Sequence, residues 1–208
     1  MASVKLTKNE QKKQKDLLKQ FERYLPTLQL KKQQLQMVIR QIEDQKSQLL
    51  QKQKDILDLL QSWVALFHEN TTFHSSFRLD AIVSIESIQK RKGNIAGVTI
   101  PLFDGVKFII EEYDVDKYPL WIDAAVVVLQ QVAKLDAEIA TLKEQINQLN
   151  HELRITSQRV NLFEKVKIPE TKENIRRISI YLGDQQTAAV VRGKIAKKKL
   201  VKVAGGVA

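Results

Sequence analysis

The sequence predicts a mainly α protein: a long antiparallel two-helix left-handed coiled coil with a short β-hairpin region at the turn end. Three observations carry this expectation. Two long stretches repeat apolar residues every three and four positions. One central stretch changes to β-branched runs and gathers Gly93, Gly97, Pro101 and Gly105 within a short span. The composition, with 28% charged residues, 6% aromatic, seven Gly and four Pro in 208 residues, suits long helices better than a rounded core.

The first seam begins at Leu18 and continues through Phe21, Leu25, Leu28, Lys32, Leu35, Ile39, Ile42, Lys46, Leu49, Gln53, Ile56, Leu60, Trp63 and Phe67. All are apolar except Lys32, Lys46 and Gln53, and the phase does not slip. A sustained 3.5-residue repeat implies a left-handed supercoil rather than one face of a globular bundle. Pro26 follows Leu25 in this stretch, so its ring is expected to face away from the partner and kink the helix.

The middle reads as strands. Ala81 to Ile88 alternates in part, and Ile95 to Ile100 and Val106 to Ile110 are rich in β-branched residues. Gly93-Asn94 and Pro101 to Gly105 read as the turns between them. A small hairpin, or three short strands, is therefore expected to cap one end of the helix pair. Pro119 then fits the first turn of a second helix, where its missing N–H costs nothing.

The second seam runs Trp121, Ala125, Val128, Val132, Leu135, Ile139, Leu142, Ile146, Leu149, Leu153, Thr156, Val160, Phe163 and Lys167. Only Thr156 and Lys167 are not apolar. Neither helix can bury its stripe alone, so the economical solution folds one onto the other. About 60 paired residues would make a rod of roughly 80–90 Å. Pro169 is expected to end this seam, and Gly183 and Gly193 to weaken the helical spacing that Ile175, Ile178 and Leu182 resume. The expected divisions are an N-terminal coiled-coil helix (1–70), a hairpin and connector (71–118), a C-terminal coiled-coil helix (119–200) and a flexible tail (201–208).

Several function classes are excluded. With no cysteine there is no disulfide framework and no thiol metal site. His68, His74 and His151 lack ligand spacing. Gly193-Lys194 lacks the upstream glycine and the following Ser/Thr of a phosphate-binding loop. No nucleophile–base pair is visible, so no catalytic residue, cofactor or metal is expected, and the chain is not an enzyme by itself. The N-terminus shows no signal-peptide core, and the longest apolar run, Ala124 to Leu129, is far short of the ~20 residues of a spanning helix. A soluble, cytoplasmic protein without direct membrane insertion is expected.

The formal charge of +10 suits nucleic acid, anionic lipid or an acidic protein surface. The lysines along the helices are interleaved with acids, and the hairpin lacks stacked aromatics beside arginine, which disfavours nucleic acid. A basic coiled-coil scaffold or nucleic-acid-binding protein is the alternative reading. The acidic pairs Glu111-Glu112 and Asp114/Asp116 read as solubilising.

Three stretches carry a family resemblance. Leu28 to Leu35 (LQLKKQQL), Asn94 to Pro101 (NIAGVTIP) and Arg159 to Pro169 (RVNLFEKVKIP) resemble, in order, segments of the D subunits of V/A-type (V-type) rotary ATPases. The resemblance runs from about Lys5 to Leu200 and implies a non-catalytic rotor. Such a rotor is the central stalk of an ATP-driven machine for hydrogen-ion or other ion transport, or for ATP synthesis. The resemblance implies partners too: the A and B subunits, whose hexamer cavity encloses the chain termini; the F subunit, on the side of the stalk; and a C/d-type subunit linking to the membrane ring. H⁺ and Na⁺ are both compatible with it as coupling ion. The chain would then be cytoplasmic and peripheral to the membrane within the complex.

Such a shaft must resist twisting while exchanging weak contacts with its housing. The seam residues Leu35, Ile39, Ile42, Leu49, Ile56 and Leu60 of the first helix, with Val132, Leu135, Ile139, Leu142, Ile146 and Leu149 of the second, would supply the stiffness. The polar positions Lys32, Lys46 and Gln53 penalise wrong registers. A basic tail is more often a solvated end than a site. With the resemblance, Arg192, Lys194, Lys197, Lys198 and Lys199 become the candidate rotor-bearing contacts.

Overall fold

The computed structural model describes residues 4–68, 82–112 and 121–204, with side chains confined to 4–60, 82–112 and 121–201. Pro119, the side chains of Trp63 and Phe67, and the connectors flanking the hairpin fall outside the described residues. In order the elements are helix α1 (Lys8–His68), strands β1 (Val83–Ile95) and β2 (Val98–Ile110), helix α2 (Ile122–Leu162), a π turn (Phe163–Lys167) and helix α3 (Ile168–Ala204). They form two compact units, Lys31–Ile155 and the remainder.

In the first unit, the two seams meet as an antiparallel coiled coil. Lys31 pairs with Glu152 at 2.8 Å, and Gln53 Nε2 donates to Asp136 at 2.6 Å, so residue numbers rise on one helix as they fall on the other. Between these ties Leu35, Ile39 and Ile42 close on Leu142, Ile146 and Leu149.

The hairpin differs from the short cap expected. Its two strands are each 13 residues long and pair antiparallel over their whole length. At the base, Ile82 packs with Ile122 and Val126. Toward the tip, Ile95, Ala96, Val98, Ile100 and Leu102 join the cluster formed by the central seam residues of α1 and α2. Thirteen residues of strand span roughly 40 Å, close to the roughly 36 Å of helix from Ile122 to Ile146. The hairpin therefore lies along the helix pair instead of capping it.

The turn geometry explains the difference. The chain reverses at Ala96-Gly97, whose φ values of 51° and 78° are both positive, as a primed two-residue hairpin turn requires. Asn94 Oδ1 accepts the Gly97 N–H at 3.0 Å. The turns expected at Gly93-Asn94 and at Pro101 to Gly105 are not turns. Gly93 lies within β1, and Pro101 sits in β2, where a two-stranded sheet leaves every strand an edge that tolerates proline. Gly105, at φ 151°, adjoins a register shift between Gln89 and Lys90 that takes up Asp104 as an extra residue.

In the second unit, α1 starts from a side-chain cap: Thr7 Oγ1 accepts the Glu10 N–H at 3.3 Å. Pro26 is exposed inside the helix, so the carbonyl it leaves unbonded can meet solvent. Phe21 stacks on Phe163 with ring centroids 5.3 Å apart, and Lys172 reaches Glu22 at 3.3 Å. Pro169 does not end the seam, as the sequence suggested. Helix continues through it, and through Gly183 and Gly193, with Thr171 and Ile178 buried beyond. Pro169 lies in the first turn of α3, directly after the π turn, and adds no N–H to the ladder there.

Candidate functional site

The end of α3 is a long described stretch of helix whose side chains are all exposed. Lys8 and Gln11, at the start of α1, line a shallow surface hollow with Ser179, Leu182, Gly183 and Ala189. Beyond that level α1 offers no further turns, yet α3 continues to Ala204. From Ala189 to Val201 every side chain is exposed. At 1.5 Å per residue this is roughly 18 Å of helix without cover from the rest of the described chain.

Arg192, Lys194, Lys197, Lys198 and Lys199 all lie on this stretch, and no acid occurs between Gln185 and Val201. Val190, Val191, Ile195, Leu200 and Val201 are exposed among them. Successive residues advance by about 100° around a helix. Val190, Lys194, Lys197 and Val201 therefore share one stripe, Arg192 and Lys199 lie opposite, and Val191 and Lys198 fall between. The structure brings the five cations onto one bare helix but not onto one face. A helix resting on a flat surface would separate its polar and apolar sides. This one mixes them all round.

The twelve seam residues are all covered to some degree. Leu35, Ile39, Ile42, Ile139, Leu142, Ile146 and Leu149 are buried, and Leu49, Ile56, Leu60, Val132 and Leu135 are half-buried. One set was missed by the heptad reading. Ala137, Thr141 and Gln145 are buried although they lie off the seam, roughly a third of a turn round the helix from Ile139, Leu142 and Ile146. Gln145 Nε2 donates to the Pro101 carbonyl at 2.6 Å, which ties β2 to this stripe, and Lys90 pairs with Glu144 at 2.7 Å beside it. The signal was a four-residue spacing of small and polar residues alongside the apolar one.

Other candidates are not brought together. His151 is exposed, Glu111 and Glu112 are exposed, and Gly193-Lys194 is helical rather than a loop. Among the described residues no group of His, Cys, Asp or Glu is arranged to hold a metal, and no helix is long and apolar enough to cross a membrane.

The chain is similar in sequence to known proteins along nearly its whole length. Residues 10–198 match the family profile of the ATP synthase D subunit. The chain is 51% identical over 203 residues to the D subunit of a V-type ATP synthase from Borreliella burgdorferi, covering 97% of each. It is 35% identical over 204 residues to the equivalent protein of Chlamydia abortus, covering 96% of this chain and 94% of that one. A helix pair locked by two heptad seams thus occurs, with its hairpin and its bare basic helix end, in a chain that matches these proteins almost end to end, and the chain belongs to the family of ATP synthase D subunits.

Proposed function

We propose that the chain is the non-catalytic central shaft of a V/A-type rotary ATPase, transmitting rotation between ATP hydrolysis or synthesis in an A/B hexamer and movement of H⁺ or Na⁺ through a membrane sector. The observation that carries this reading is the uncovered end of α3, where cations and apolar side chains alternate around the whole circumference. Such a surface suits a bearing: apolar side chains slide against an apolar sleeve, and the cations meet acidic or carbonyl groups by screened, non-directional attraction. Arg192, Lys194, Lys197, Lys198 and Lys199 are the contacts assigned to it.

In this reading the A and B subunits enclose the helix end, the F subunit sits on the side of the coiled coil, and a C/d-type subunit joins the stalk to the membrane ring. Family membership favours the stalk over a basic scaffold or a nucleic-acid-binding coiled coil. The test is ATP-driven rotation by a complex assembled with a chain lacking residues 192–208. Torque is expected to fall while the isolated chain unfolds at the same urea concentration as the full-length one. Unchanged torque would remove the bearing.

A further inference from the structure

Covered positions along α2, buried or half-buried, recur every seven residues at Val128, Leu135, Leu142, Leu149, Thr156 and Phe163. The next members are Thr171 and Ile178. A single eight-residue step, from Phe163 to Thr171, thus interrupts an otherwise strict heptad series. The parallel series does the same, stepping from Lys167 to Ile175. One surplus residue would rotate everything beyond it by about 100° and turn Ile178 out of the seam. The π turn at Phe163–Lys167 absorbs that residue, with the Ile168 N–H bonding to the Phe163 carbonyl.

We propose that this π turn is a torsional joint, the point at which the continuous α2–α3 helix yields to twist while the packing on either side stays intact. Glu164, Lys165 and Val166 are exposed, so the middle of the turn can rewind without displacing a core side chain. It is fixed at both ends: Phe163 stacks on Phe21, and Thr171 and Ile178 are buried beyond it. Pro169 has no N–H to give the Lys165 carbonyl, so an α-helical ladder cannot close fully across the joint. Thr171 Oγ1 donates to the Lys167 carbonyl at 2.6 Å, a side-chain bond to the last residue of the π turn. Compliance of the joint follows from these bonds alone; its use in passing torque rests on the shaft reading above.

Hydrogen exchange on the full chain tests the joint. Amides of residues 163–168 are expected to exchange roughly tenfold faster than those of 156–162 and 172–182. Deleting Val166 together with Pro169→Ala removes the surplus residue, restores seven-residue spacing and lets the α-helical ladder close across the site. The double change is expected to slow exchange there to the rate of its flanks without lowering the unfolding midpoint. Equal exchange in the unmodified chain, or a double variant that still exchanges fast at this site, would overturn the proposal. In the assembled complex the same double change is expected to narrow the angular fluctuation of the rotor. Rotation that persists with unaltered fluctuation would leave the shaft standing and remove the joint from its mechanics.

Discussion

Between two helices a long seam side chain keeps an open flank unless another segment or a neighbouring side chain covers it. Leu35 is 0% exposed, as is Leu149, and the hairpin residue packed with them, Ile100, is 1% exposed. Farther along the same seam, away from the hairpin tip, Ile56 is only half-buried. The same truncation should therefore cost different amounts at the two places. Leu35→Ala leaves a closed cavity and should destabilise by about 3–4 kcal/mol, whereas Ile56→Ala opens to solvent and should cost about 1–2 kcal/mol. With a urea dependence of about 2 kcal/mol/M, the difference corresponds to roughly 1 M in the unfolding midpoint. Ile100→Ala should behave like Leu35→Ala although it lies in a strand. Urea titration of the isolated variants, followed by helical circular dichroism, measures all three. Equal midpoints for the Leu35 and Ile56 variants, or an Ile100 variant as stable as the parent, would refute the view that the hairpin completes the core.

Two other substitutions probe how the hairpin is seated. A Cβ at position 93 would stand 2.6 Å from Leu102 Cδ1 and 2.8 Å from its Cγ, so Gly93→Ala must displace a packed leucine and should lower stability by about 1–3 kcal/mol in the same titration. Gln145→Leu removes the hydrogen bond to Pro101 and leaves that carbonyl without its side-chain donor; it should cost about 1–3 kcal/mol and speed amide exchange in β2.

Much of this architecture was legible in one dimension. A heptad seam is a local periodicity: residues three and four apart fall on one face whatever the rest of the chain does. Leu35, Ile39, Ile42, Leu142, Ile146 and Leu149 could thus be placed in the interface from spacing alone. The basic run at Arg192 to Lys199 was equally visible. The seat of the hairpin was not, because Gln145, which ties it to α2, lies off the seam and its polar side chain carries no hydrophobic signal. Nor was the turn, since the residues that looked like punctuation at Pro101 to Gly105 are tolerated in an edge strand with a bulge.

Which faces of the helices meet depends only on helical periodicity and the need to bury apolar surface, and both are properties of the residue order. Where the phase may slip, and where cover is missing, depends on partners distant in the chain. Pro169 and a surplus residue would stop a helix in isolation, but with Phe21 on one side and a buried Ile178 on the other the chain keeps its seam by widening one turn. The bare end of α3 likewise exists because α1 begins where it does, a matter of how two lengths align and not of any residue within either.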